Sequence, residues 1–265
     1  MLMDSVSSLD SLAPSISPAI VQDTQAWTTW WDPSHTHFPW QPTATQQALF
    51  IQLYAAILQG NRQFNLTRIT EPADFWEKHL WDSLSGMLPW FLEPPTHRLK
   101  AIDIGTGCGF PGLAIAIVFP QIQVTLMDST RKKLVFLDQV IHNLGLKNAK
   151  TIVERAETLG QQSRHRGQYD LAFIRAVGGS SLCAEYSVPF LRVGGTAILY
   201  RGQWSQDEAS QLPGVAELLG SELTQIQPWT TPLTAGVRHC VYLQKHDPTP
   251  KTYPRAIGLP SQKPL

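Results

Sequence analysis

An α/β fold is predicted, with a doubly wound, mostly parallel seven-stranded sheet, an antiparallel edge and an N-terminal helical cap. Three observations predict it. From Leu99 onward, short apolar runs alternate with helical patterns, the signature of parallel strands joined by crossover helices. The last two runs are joined by the turn-rich TTPLTAG instead of a helix, which makes them an antiparallel pair. The first run ends in a glycine-rich turn, AIDIGTGCGFPG at 101–112, placed where open α/β sheets bind ligands.

In chain order, residues 1–17 are rich in Ser, Asp and Leu with little periodicity and read as a mobile tail. Trp27, Trp30 and Trp31 share one face of a short helix after Ser17-Pro18 and are expected to pack onto the body. DPSHTHFPWQP at 32–42, with three prolines, reads as a linker, so 1–42 forms an extension, partly helical or disordered. Thr43 and Gln46 form a capping box ahead of the stripe Leu49, Phe50, Leu53, Tyr54, Ile57 and Leu58, with Gly60 as a stop. A second helix starts near Glu71-Pro72 and runs through Phe75, Leu80, Leu84 and Leu88, completing a cap over 43–92. The core spans 99–245, with strands near 99–104, 122–127, 150–153, 169–174, 195–200, 223–228 and 238–243. Helices are expected near 112–119, 130–144, 156–160, 180–191 and 205–219. Residues 246–265, with five prolines, read as a disordered tail.

A chain of 265 residues holds one main domain, here 43–245, with small additions. Its 21 basic and 21 acidic residues cancel, so no global field draws it to nucleic acid or a membrane, and any polyanion must meet a local patch. Cys108, Cys183 and Cys240 are odd in number and lack C-x-x-C spacing, which argues against disulfides or structural zinc and suits a reducing cytoplasm. The start lacks a signal-peptide pattern, and the longest apolar run, LAIAIVF at 113–119, is too short to span a bilayer. A cytoplasmic protein without membrane or metal is expected, and no exposed heptad argues against a monomer.

Gly107, Gly109 and Gly112 satisfy the G-x-G-x-x-G spacing of a dinucleotide site, which points to NAD. Asp103, just before Gly105, points elsewhere: an anion there repels a pyrophosphate and favours the sulfonium and ammonium of S-adenosylmethionine (SAM). Asp128, 23 residues after Gly105, is placed to accept two ribose hydroxyls and suits either cofactor. Glu157, or the backbone beside it, is a candidate reader of an adenine amino group or else a solvated charge. Ile174-Arg175-Ala176 supplies a further wall.

N-L-T at 65–67, H-x-x-D-S at 79–83, D-I-G-T-G-x-G-F-P-G at 103–112, L-M-D-S at 126–129 followed by R-K-K-L-x-F-L, and I-R-A at 174–176 together resemble the glucose-inhibited division protein B family, also called small-subunit ribosomal RNA methyltransferase G. The resemblance runs from about Thr43 to Leu243 and implies a Rossmann-like class I SAM-dependent methyltransferase acting on the N7 atom of a guanine in bacterial 16S rRNA. It implies SAM contacts from Gly105, Phe110, Asp128, Ser129, Thr130, Ala156, Glu157 and Arg175; Asp103 and Gly107 join them from the reading of the turn. The chain departs from the family at Arg201-Gly202-Gln203, where lysine is common in place of Arg201. Cys108 is a small filler of the turn, with no nucleophilic role.

Guanine N7 presents an in-plane lone pair, so methyl transfer demands orientation and no general base. Arg175 is the one residue put forward for the chemistry, as a shaper of the pocket or a donor to guanine O6 or a phosphate. His79, Asp82 and Ser83 share a helix face and are read as a polar network docking the cap, with a hydrolase triad disfavoured by their spacing. Arg62, Arg68, Arg131, Lys132, Lys133, Arg201 and Arg238 are candidates for a phosphate-binding patch toward 16S rRNA or the small ribosomal subunit, with no role in DNA binding. The alternatives are a SAM-dependent enzyme acting on a small molecule or protein, a noncatalytic nucleotide-binding module, and an NAD oxidoreductase.

Overall fold

The computed structural model describes residues 17–36 and 38–265, so the expected mobile tail lies almost wholly outside the described residues. The cap opens with three short helices, α1 (Pro18–Asp23), α2 (Trp27–Trp30) and α3 (Pro33–Thr36). Trp27 and Trp31 are fully buried, Trp27 stacking on Phe75 at 6.1 Å and Trp31 meeting Trp76 edge-on at 5.0 Å. Rings of this size contribute roughly 4–6 kcal/mol each in gross burial, enough to fix a segment with little regular helix. The expected linker is therefore a packed segment: Phe38 is buried against Phe91 and Trp229.

Helix α4 (Ala44–Phe64) begins at the expected capping box, Thr43 and Gln46 bonding reciprocally. It runs past Gly60 and ends at Asn65, a left-handed cap with φ of 47°. Gly60 is needed for a different reason, since the Phe136 ring occupies the place a Cβ would take. A second helical run follows as α5 (Pro72–Phe75), a π-helical turn at Trp76–Trp81 and α6 (Asp82–Ser85), and α7 (Leu88–Leu92) completes the cap. The π turn inserts an extra residue, and such turns recur at functional sites. Buried Glu77 on this turn accepts the backbone N–H groups of Leu233 and Thr234 at 2.6 and 2.9 Å, tying the cap to the TTPLTAG loop.

The core has strands β1 (Leu99–Ile104), β2 (Ile122–Asp128), β3 (Ala149–Val153), β4 (Tyr169–Arg175), β5 (Leu191–Arg201), β6 (Ser221–Thr230) and β7 (Val237–Lys245). Their order is β3-β2-β1-β4-β5-β7-β6, with β7 antiparallel to both neighbours and every other pair parallel. Between them lie α8 (Gly112–Val118), α9 (Arg131–Asn143), α10 (Ala156–Leu159), α11 (Ser180–Ser187) and α12 (Gln206–Leu218). The cap shares one apolar cluster with α8 and α9, while α10–α12 build a second on the other face.

The expectation of a disordered tail is corrected. Residues 246–265 are docked on the core and end in α13 (Leu259–Gln262). Prolines lower the entropy lost on ordering, and the segment has specific charged partners: Arg166 donates to the carbonyls of Thr249, Pro250 and Tyr253, and Arg255 pairs with fully buried Glu185 at 2.6 Å.

Candidate active site

The C-terminal ends of β1, β2 and β4 carry two cavities. The first, of about 270 Å³, is bounded by Gly105, Asp128, Ala156, Glu157, Val177 and Tyr186. The second, of about 560 Å³, is bounded by Arg175, Asp82, Arg201, Arg238 and Glu208. The segment after β4 divides them, with Arg175 and Ala176 facing the second and Val177 the first. Ala176 holds φ of 56°, a strained conformation for a residue with a side chain, of the kind that persists at sites the surroundings over-determine.

Gly105 lies at φ of 68° with a Val177 methyl 2.8 Å from where a Cβ would stand, so the turn is as thin as it can be at the first cavity. Asp128 anchors it from the neighbouring strand, its Oδ2 accepting from the Gly107 N–H at 3.1 Å and its Oδ1 from the Thr130 N–H at 2.8 Å. Each oxygen keeps a lone pair for a ribose hydroxyl. Ser129 also lines the cavity, whereas Thr130 and Gly107 serve it through these backbone bonds.

Asp103 is placed differently from the expectation that it faces the ligand. Only 1% exposed, it lies beneath the turn, its Oδ2 accepting from Thr106 Oγ1 at 2.6 Å and from the Gly112 N–H at 2.9 Å. Its Oδ1 is buried without a protein partner. Burial outweighs these donors and raises the carboxyl to about 6. Phe110 is likewise turned from the first cavity: its ring stacks on His79 at 4.6 Å and meets Phe75 edge-on at 5.5 Å, so the FPG of the turn docks the cap.

Arg175 borders the second cavity instead of the first. Its Nη1 donates to the Lys78 carbonyl at 2.8 Å and to Asp82 Oδ2 at 3.0 Å, and its Nη2 to His79 Nδ1 at 3.2 Å. A guanidinium only donates, so His79 Nδ1 accepts and Nε2 carries the proton toward Thr67 Oγ1 at 3.1 Å. Desolvation, then the nearby Arg175 charge, lowers the His79 imidazole to about 3. The N-L-T, H-x-x-D-S and I-R-A segments are thus one network that positions Arg175; Ser83 adds a hydrogen bond to the His79 carbonyl.

Glu157 is held by more than was expected. Burial acts to raise its carboxyl, but hydrogen bonds from the Gly258 N–H, its own backbone and Tyr186, with Arg155 nearby, outweigh burial and keep it below the usual range. Val177, Tyr186 and Ser261 in the first cavity, and Glu208 in the second, went unnoticed in the sequence. Arg201-Gly202-Gln203 was the one nearby signal.

The charges of the first cavity fit SAM. Asp128, Glu154 and Glu157 face it against Arg155 alone, a setting that suits a cationic ligand and opposes a pyrophosphate. The sheet order, the thin glycine turn and this acid-lined cavity define a class I SAM-dependent methyltransferase. The family described as rRNA small subunit methyltransferase G matches residues 46–236. Relatives of that name from Nostoc sp. and Trichormus variabilis are 56% and 55% identical over 228 residues, which is 85% of this chain and 93% of each relative. One from Trichodesmium erythraeum is 50% identical over 85% of this chain and 89% of its own. The chain belongs to the rRNA small subunit methyltransferase G family.

Proposed function

We propose that the protein transfers a methyl group from SAM to the N7 atom of a guanine in 16S rRNA, with the first cavity holding the donor and the second the acceptor. The observation that carries this is the state of the carboxylates in the acceptor cavity. Asp82 lies 3.0 Å from Arg175 and 3.7 Å from Arg238, and Glu208 lies 2.6 Å from Arg201, so both are tied to arginines. Such a site offers positive charge for an RNA backbone and no free base, which suits a nucleophile that needs no proton removed.

SAM supplies an electrophilic methyl carried on a positive sulfur. Gly105 lets the donor approach the sheet, Asp128 takes the ribose hydroxyls, and Ala156 with Glu157 bounds the adenine end. Arg175, fixed by three partners, presents its remaining donors to guanine O6 or a phosphate and leaves N7 unprotonated and free. Catalysis is then proximity and alignment. In this reading the enzyme acts as a monomer in the cytoplasm; no described helix is long and apolar enough to cross a membrane.

The test is incubation of the purified protein with labelled SAM and 16S rRNA or small subunits, followed by reduction and cleavage at 7-methylguanosine. Label at a single cleavable guanosine is expected. Normal SAM binding with no transfer to either substrate would sink the acceptor assignment and favour a small-molecule or protein acceptor.

A further inference from the structure

The C-terminal segment reaches the donor cavity. The Gly258 N–H donates to Glu157 Oε1 at 3.0 Å, the same oxygen that accepts from the Tyr186 hydroxyl at 2.9 Å. Ser261, on the helix that starts beside Gly258, lines the cavity, and its hydroxyl is turned back onto the Gly258 carbonyl at 2.9 Å.

The docking of this segment is built into the core. Glu185 on α11 is 0% exposed, and its carboxylate takes the Arg255 backbone N–H at 2.8 Å and the guanidinium at 2.6–3.1 Å. A carboxylate so buried is costly unless paired. Upstream, Gln161 donates to the Pro254 carbonyl at 2.7 Å, and Gly160 offers no room for a side chain because Pro254 packs 2.9 Å from where its Cβ would be. Tyr253 and Leu265 pack on the second apolar cluster. The anchors lie on α10, α11 and the loop after α10, the elements that bound the adenine end of the cavity.

We infer that residues 253–265 are a strap that completes the donor site, holding Glu157 in place and walling the adenine end through Gly258 and Ser261. This rests on reading the first cavity as the SAM site. Strap docking and cofactor binding are then linked, each favouring the other by the same factor.

The test measures SAM and 5′-methylthioadenosine affinity by calorimetry for the full chain, a chain ending at Pro254, and Ser261→Trp, with melting temperatures for each. Ser261 is exposed beyond the cavity wall, so its replacement leaves the core intact. Both changes are expected to weaken both ligands about tenfold or more, because the loss falls on the adenosine half they share. In the full chain, saturating SAM is expected to slow tryptic cleavage after Arg255.

Affinities equal to the full chain's in both variants would overturn the strap. If the shortened chain does not fold, Ser261→Trp and the cleavage rate decide alone. A full chain whose SAM affinity is untouched by Asp128→Ala would instead overturn the reading of the cavity, and the strap with it.

Discussion

Nη2 of Arg175, at the end of β4, lies 3.2 Å from Nδ1 of His79 on the π turn of the cap. That contact joins the second cavity to the helical cap and makes the orientation of an arginine depend on a histidine that lines neither the first nor the second cavity. His79→Leu keeps the volume and removes the acceptor. A fall in kcat of ten- to a hundredfold, about 1.4–2.7 kcal/mol, is expected with SAM affinity within about twofold. A rise in SAM Kd matching the loss of kcat would show that His79 acts through the donor site.

The same histidine makes the fold acid-sensitive. Its folded pKa of about 3 lies below the unfolded 6.5, so between those values the unfolded chain binds more protons and stability falls as pH drops, by at most about 1.4 kcal/mol per pH unit. Asp103 has the opposite sign. Its pKa is raised from 3.8 to about 6, so stability rises as pH drops through that window and offsets part of the loss. Denaturant titrations from pH 7 to 4 are expected to show a flatter profile for His79→Gln and a steeper one for Asp103→Asn. Unchanged profiles in both would show that neither group titrates as its burial dictates.

Asp128 pins the glycine turn through Gly107 and, in the proposed function, offers lone pairs to a ribose. Asp128→Ala removes both and is expected to raise the SAM Kd by at least about ten- to a hundredfold, the loss of a single charge-assisted bond of roughly 1.5–3 kcal/mol. Asp128→Asn, which keeps one acceptor, falls between. Calorimetry with SAM and with NAD checks the cofactor too, because NAD binding tighter than SAM binding would reverse the charge argument.

The core strands were legible because buried parallel strands and amphipathic crossovers carry periodic signals, and all seven lie within a few residues of their expected places. The cap was legible where Thr43 and Gln46 form a capping box, and not where tertiary packing overrode a local signal, as at Gly60 beneath the Phe136 ring. In the site, spacing located the turn and Asp128 but not the direction of a side chain. Asp103 and Phe110 both belong to the turn, yet one faces beneath it and the other faces the cap, outcomes set by Thr106, Gly112 and His79. The tail was misread for a related reason: proline content argues for disorder only when nothing pairs with the segment, and buried Glu185 gave no sign in sequence of its partner Arg255.

The basic groups set the last expectation. Arg201 and Arg238 border the second cavity, while Arg62 and Arg68 stand exposed on the cap outside both cavities. Arg238→Gln is expected to lower the slope of log K against log salt for 16S rRNA binding by about 1, with SAM affinity unchanged, if the arginine meets a phosphate. Arg201 donates to the Gly178 carbonyl and to Glu208 at once, a fork that lysine cannot reproduce. Arg201→Lys keeps the charge and is expected to retain the salt slope and most activity, whereas Arg201→Ala loses about one unit of slope and leaves Glu208 unpaired. Equal loss in both variants would mean that the fork, and not the charge, is what the acceptor site requires of this position.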